Sequence, residues 1–104
     1  MQNRSIKNVP WYPQTGEGQA IAYTDLVVGL SAALTVGKEH NIWVTEHAWV
    51  RVGGGAAAND FPIAAGAIYV YTPQAAGLWG DDQLSFLGIA AATAGVAYIG
   101  QSEE

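Results

Sequence analysis

Short β-forming stretches, separated by glycine, proline and polar residues, limit most strongly how this 104-residue chain can fold. The clearest stretches, residues 42–45, 48–52 and 67–72, are rich in β-branched and aromatic residues. Weaker candidates are residues 19–28, 31–36, 61–63, 84–87 and 96–99, and a turn is expected at residues 37–41. The best helix candidate, Ala90-Ala91-Ala92, fails on length, because Gly88 and Gly95 bound it within two turns. The β-forming stretches recur at a spacing of about 8–12 residues, which indicates a sandwich or barrel. We expect an antiparallel, jelly-roll-like β-sandwich of about 7–8 strands.

Charged residues make up only 12% of the chain, about half the usual fraction of roughly 25%. The formal net charge is −5, and the four basic residues are dispersed along the sequence. Nucleic-acid binding requires a basic surface, so we expect no nucleic-acid partner. The absence of cysteine excludes disulfides, thiol nucleophiles and cysteine-based zinc sites. The length of the chain indicates one domain. Because charged residues are so few, we expect this domain to have an under-charged surface.

Residues 83–102 contain no charged residue, and their mostly apolar part, residues 84–99, is near the minimum length for a membrane span. Acidic pairs flank it on both sides, whereas a span is normally oriented by basic residues. Three glycines also interrupt the run, which we therefore interpret as two strands around a short turn. We expect no membrane partner.

Residues 1–18 form a separate segment, followed by a sandwich domain at residues 19–104. Pro10 and Pro13 lack backbone N–H groups and exclude a long helix or a central strand. We expect an extended arm whose aromatic residues, Trp11 and Tyr12, dock onto a neighbouring chain. The alternative is that the arm folds back onto its own domain.

Residues alternate along the clearest strands between small or aliphatic side chains and aromatic ones, with Arg51 on the aromatic side. The simplest interpretation is an aliphatic core face and an aromatic outer face. Aromatic residues and arginine are enriched in binding hot spots, so the outer face is a candidate interface. In the opposite arrangement, the aromatic residues form the core. The predicted interface residues are Trp11, Tyr12, Trp43, Trp49, Arg51, Tyr69, Tyr71 and Trp79.

Catalytic and metal-binding patterns are weak. The pairs Glu39-His40 and Glu46-His47 lie at opposite ends of a predicted strand, about 20 Å apart, which is too far to share an ion within one chain. The alternative is that they meet around the symmetry axis of an oligomer. We interpret them as polar strand ends. The Asp81-Asp82 pair lacks a calcium-loop pattern, and the glycine run at residues 53–55 lacks the lysine and helix of a phosphate loop. We expect no catalytic residue, metal or cofactor.

The segment from residue 34 to residue 99, about two thirds of the chain, resembles small structural proteins of tailed bacteriophages. The matching residues are Ala-Trp-Val-Arg-Val-Gly at 48–53, Ala-Ala-Ala-Asn-Asp-Phe-Pro-Ile-Ala-Ala-Gly at 56–66, Ile-Tyr-Val-Tyr at 68–71, Leu-Ser-Phe-Leu-Gly-Ile-Ala-Ala at 84–91 and Gly-Val-Ala-Tyr-Ile-Gly at 95–100. The resemblance implies a β-sandwich attached to a virion, as a capsid decoration (cement) protein or a fibre-base component.

The leading hypothesis is therefore a homotrimeric decoration protein on the capsid exterior, with sister chains and the major capsid protein as partners. The alternative is a tail or fibre module that binds a cell-surface glycan by stacking of Trp79. A weaker third hypothesis is a small metal-dependent enzyme.

Overall fold

The computed structural model describes residues 18–74 and 82–101, and this part of the chain is all-β. Its eight strands are β1 (Gln19–Thr24), β2 (Gly29–Leu30), β3 (His40–Val44), β4 (Ala48–Val52), β5 (Phe61–Ile63), β6 (Ile68–Tyr71), β7 (Leu84–Gly88) and β8 (Ala94–Gln101). No helix of the described residues is long and apolar enough to cross a membrane. The uncharged C-terminal run forms β7 and β8, which confirms the prediction of two strands.

The strands form two four-stranded sheets with the orders β1-β8-β3-β6 and β2-β7-β4-β5, in which every paired neighbour is antiparallel. We call them the first and second sheets. Strands β1 to β4 alternate one by one between the two sheets. Strands β5 to β8 return in the reverse order, so that β5 pairs with β4, β6 with β3, β7 with β2 and β8 with β1. This arrangement is the jelly roll, a double-sheet fold of eight strands and two Greek keys.

The core lies between the sheets and combines aliphatic and aromatic side chains. Its centre includes Tyr23, Val44 and Phe86, none of them more than 1% exposed. The Tyr23 and Phe86 rings stack with their centroids 6.1 Å apart and link the two sheets. The Tyr23 hydroxyl donates a hydrogen bond to the Glu46 carbonyl, which satisfies the one polar atom of this buried ring.

Three expected elements differ from the structure. The expected strand at residues 19–28 ends at Thr24, and a separate short strand follows at Gly29–Leu30. Residues 31–36 do not form a strand. They run beside the start of β7, where Ser31 and Leu34 make two isolated backbone hydrogen bonds instead of a continuous ladder. The Ser31 amide donates to the Leu84 carbonyl and the Leu34 amide to that of Asp82. The expected turn at residues 37–41 is shorter, since β3 already begins at His40. Gly37 occupies this turn with φ +82°, a conformation that favours glycine.

Candidate interaction surface

The solvent side of the first sheet is a four-stranded surface without a charged residue. The register of its strands brings the outward residues of all four strands onto this surface, which we call the outer face. It comprises Ala20, Ala22, Thr24, Asn41, Trp43, Ile68, Val70, Ala94, Val96, Tyr98 and Gly100. Charged residues among the described part of the chain lie in the connections, except Arg51 on the second sheet. No charged side chain of the described residues therefore interrupts the outer face.

A row of large side chains crosses the middle of the outer face. Trp43 on β3 is directly opposite Tyr98 on β8 and Ile68 on β6. The Trp43 and Tyr98 rings are 5.6 Å apart between centroids, tilted by 35°. Trp43 is 38% exposed, Tyr98 45% and Ile68 61%. Side chains of this kind, aligned and open to solvent, are typical of protein interaction sites.

Trp43 lies on the solvent side of β3, as the alternating pattern predicts, whereas the predicted interface residues do not include Tyr98 and Ile68. Tyr98 alternates with Ala97 and Ile99, a period-two signal that the sequence does contain. The aliphatic side chain of Ile68 predicts a position on the core side. Its exposure shows that side-chain type alone did not determine which face of β6 points inward.

The structure overturns the expected orientation of β6. Tyr69 and Tyr71 pack against the core cluster, while Ile68 and Val70 point to solvent. The reason is the register, since Tyr69 lies opposite the buried Ile42 and directly paired residues share a face. The Tyr69 hydroxyl accepts a hydrogen bond from the Ala64 amide, 2.9 Å away, so its ring can turn inward without an unpaired polar atom.

Trp49 and Arg51 lie on the solvent side of the second sheet, opposite to the inward Ala48 and Val50, as predicted. Arg51 is not free there, because its guanidinium binds Asp60 through Nε at 2.9 Å and through a second nitrogen at 3.1 Å. This ion pair holds the loop between β4 and β5. The same loop covers part of the sheet, where the Ala56 amide donates to the Ser85 hydroxyl.

The contact with Arg51 also changes the pKa of Asp60. The hydrogen bond from Arg51 lowers the pKa of Asp60 below its ordinary value, and the Ala57 amide contributes in the same direction. Asp60 Oδ2 accepts that amide at 2.8 Å. Arg51 therefore organises its own loop, whatever it contacts outside the chain.

An apolar cleft of about 300 Å³ opens between the two sheets at the edge formed by β5 and β6. The sheets approach each other most closely at the opposite side, where β1 packs against β2 and β7. Ile42, Ile63 and Leu84 are buried at the base of the cleft. Val52 and Phe61 line it on the inner side of the second sheet, yet they are 44% and 63% exposed. The sandwich is therefore open at this edge.

The two histidines lie apart, His40 in the interior and His47 on the surface. His40 is the first residue of β3, in agreement with its interpretation as a polar strand end, but it is 2% exposed and points into the core. His47 is exposed, and its Nδ1 accepts a hydrogen bond from the Ala65 amide at 3.0 Å. Within residues 18–74 and 82–101, no group of three or more His, Cys, Asp or Glu side chains is placed to hold a metal ion.

Burial lowers the pKa of His40 below its ordinary value of 6.5. Hydrogen bonds involving the main chains of Lys38 and Tyr71 and the Gln101 side chain oppose this shift. His40 Nδ1 makes no hydrogen bond to any described residue. The neutral imidazole is thus the form that suits the core.

Three predicted interface residues, Trp11, Tyr12 and Trp79, lie outside the described residues, as do most of the expected arm and Asp81. The surface defined by the structure therefore rests on Trp43, Tyr98 and Ile68 in the first sheet, with Trp49 and Arg51 on the second.

No family model matches the chain, and neither a curated protein nor a solved structure matches it.

Proposed function

We propose that this protein is a structural protein of a tailed-bacteriophage virion, which binds the capsid shell as a homo-oligomer and stabilises it. The single observation that carries the proposal is the uncharged outer face with its Tyr98–Trp43–Ile68 row. Such a face suits adhesion, because burying it removes apolar surface from water without desolvating a charge.

The size of the outer face is consistent with this role. Four strands at about 4.8 Å spacing and about six residues at 3.3 Å per residue give roughly 400 Å². Exposed apolar patches of about 300–600 Å² are the largest that typical monomers carry, and they are often functional. The sequence resemblance to phage structural proteins supplies the particular partner, the major capsid protein.

The test combines oligomeric state and shell binding. Multi-angle light scattering of the purified chain should give a homo-oligomer, and the protein should co-sediment with empty shells of the phage that encodes it. Trp43→Lys should weaken shell binding or self-association at least tenfold. Leu26→Lys is the matched control, since Leu26 is 86% exposed and lies in the β1–β2 connection. A monodisperse monomer that does not sediment with shells would exclude the proposal.

A second candidate function is binding of a cell-surface glycan, and the exposed rings of Trp43 and Tyr98 favour it. Aromatic faces can stack on sugar rings, and jelly rolls include lectin domains. A titration of the tryptophan fluorescence with a panel of saccharides separates the two candidates. A saturable response that Trp43→Lys removes supports glycan binding, whereas no response together with shell binding supports the decoration protein.

A further inference from the structure

The open edge of the sandwich exposes side chains that belong to the interior. Val52 lies opposite Leu84, and Phe61 opposite Val50, so both point toward the space between the sheets. Their exposed fractions are nevertheless typical of a surface. An inward apolar side chain in water forfeits about 25 cal/mol for each Å² that a partner would cover. The cleft is therefore a place where an apolar group from elsewhere can complete the core.

We propose that the cleft of one copy receives the Trp11–Tyr12 segment of a neighbouring copy. This inference rests on the proposed function, because it specifies how the homo-oligomer is held together. The outer face alone, at roughly 400 Å², falls short of the roughly 800 Å² that each partner contributes to a standard stable interface. A second contact between copies would supply the difference.

The chemistry of the segment matches that of the cleft. Residues 8–16 contain no charged side chain and have two aromatic residues at their centre. The residues that line the cleft are also all uncharged, and they are aliphatic or aromatic. Pro10 and Pro13 cannot donate to a strand ladder, so this segment must be held by its side chains rather than by extension of a sheet. Large rings entering an apolar cleft provide such an anchor.

The topology places the point where the Trp11–Tyr12 segment joins the domain, and the cleft that would receive it, at opposite edges of the molecule. The segment leads into β1, which is one edge strand of the first sheet, while the cleft opens beside β6, the other edge strand. Six residues lie between Trp11 and Gly18, and an extended chain over the corresponding seven Cα-to-Cα steps spans at most about 25 Å. Such a reach is enough to cross from the β1 edge of one copy to the β6 edge of the next.

Contact between unlike edges is heterologous, and repeated heterologous contacts close into a ring when the rotation between copies allows it. A trimer is one such ring. The arrangement thus connects the open edge of the sandwich to a closed cyclic assembly.

Disulfide trapping in the full-length chain tests the proposal, because the sequence contains no cysteine. Val9→Cys, next to the anchor, is combined with Phe61→Cys at the mouth of the cleft. Under mild oxidation the double variant should form covalent dimers and trimers on non-reducing gels. Mixing the two single variants should give a covalent heterodimer. The matched control pairs Val9→Cys with Leu26→Cys, whose site is more exposed but distant from the cleft, and it should trap at least tenfold less.

Each other result has a defined meaning. A disulfide within a single chain, or equal trapping at Phe61 and Leu26, overturns the proposal. Adding Trp11→Ala to the double variant should reduce trapping at least fivefold, and unchanged trapping also overturns it. If trapping fails while the native chain is still oligomeric and binds shells, only this inference is lost. If the native chain is monomeric and does not bind shells, the proposed function fails with it.

Discussion

The ring of Tyr23 on β1 lies across Gly95 on β8, its direct partner in the register. A Cβ added at Gly95 would lie 2.6 Å from atoms of the Tyr23 ring, closer than packed atoms approach. The absence of a side chain at Gly95 thus makes room for a large buried aromatic residue. The pair joins the edge strand of the first sheet to the centre of the core.

Gly95→Ala should therefore destabilise the protein by about 1–3 kcal/mol, the usual cost of overpacking a core. Chemical denaturation followed by tryptophan fluorescence measures the change. Gly54→Ala is the control, because the nearest atom to its added Cβ is 3.9 Å away. An equal loss in both variants would show that glycine flexibility, rather than the Tyr23 contact, is responsible.

Tyr23→Phe isolates the hydroxyl of the same ring. It removes the hydrogen bond to the Glu46 carbonyl and leaves that acceptor beside an apolar edge. We expect a loss of about 1–2 kcal/mol in the free energy of unfolding. The ring itself remains, so the near-ultraviolet circular dichroism of the core should change little. A stability equal to that of the native chain would mean that water replaces the hydroxyl at no cost.

Arg51→Ala should raise the pKa of Asp60 toward its ordinary value, because it removes the principal hydrogen bond that lowers it. The Ala57 amide remains bonded to the carboxylate, so the recovery should be incomplete. The carboxyl chemical shift of Asp60, followed by NMR through a pH titration, measures the change directly. Arg51→Lys retains the charge but not the two-nitrogen contact, and it should give an intermediate pKa. No movement in Arg51→Ala would contradict the assigned cause.

Trp43→Ala separates the role of the outer face in folding from its role in binding. Trp43 is 38% exposed and pairs with Tyr98, so its removal should cost about 0.5–1.5 kcal/mol from the ring pair and a further amount from the apolar area that it buries. It should also weaken self-association or shell binding tenfold or more, which corresponds to at least about 1.4 kcal/mol. Denaturation curves and sedimentation of the same preparation provide the comparison. A loss of stability with unchanged binding would place the interaction surface elsewhere.

The strand framework was predictable because it depends on local composition. Residues 48–52 and 61–63 were predicted with the bounds that the structure has for β4 and β5. The period-two pattern also separated the two faces of β3 and β4 correctly.

Which face of β6 is buried was not a local property. Tyr69 points inward because it is paired with Ile42 across the sheet, and the sequence of β6 alone does not contain that register. The opening of the sandwich beside Phe61 has the same origin, since it depends on how far the two sheets diverge. Features that depend on pairing between distant segments were therefore the ones that the sequence did not reveal.

His40 should make the stability of the protein depend on pH. Its pKa in the folded state lies below the ordinary value of 6.5, so between these two values the unfolded chain binds a proton that the folded chain does not. Stability from this group is therefore constant above about pH 6.5 and falls as the pH drops below that value. The slope contributed by one such proton approaches about 1.4 kcal/mol per pH unit.

His40→Gln should remove this component, as measured by urea denaturation at a series of pH values between 5 and 8. His47→Gln is the control, because His47 is exposed. If His40→Gln and the native chain show the same pH dependence, the buried imidazole does not control acid stability.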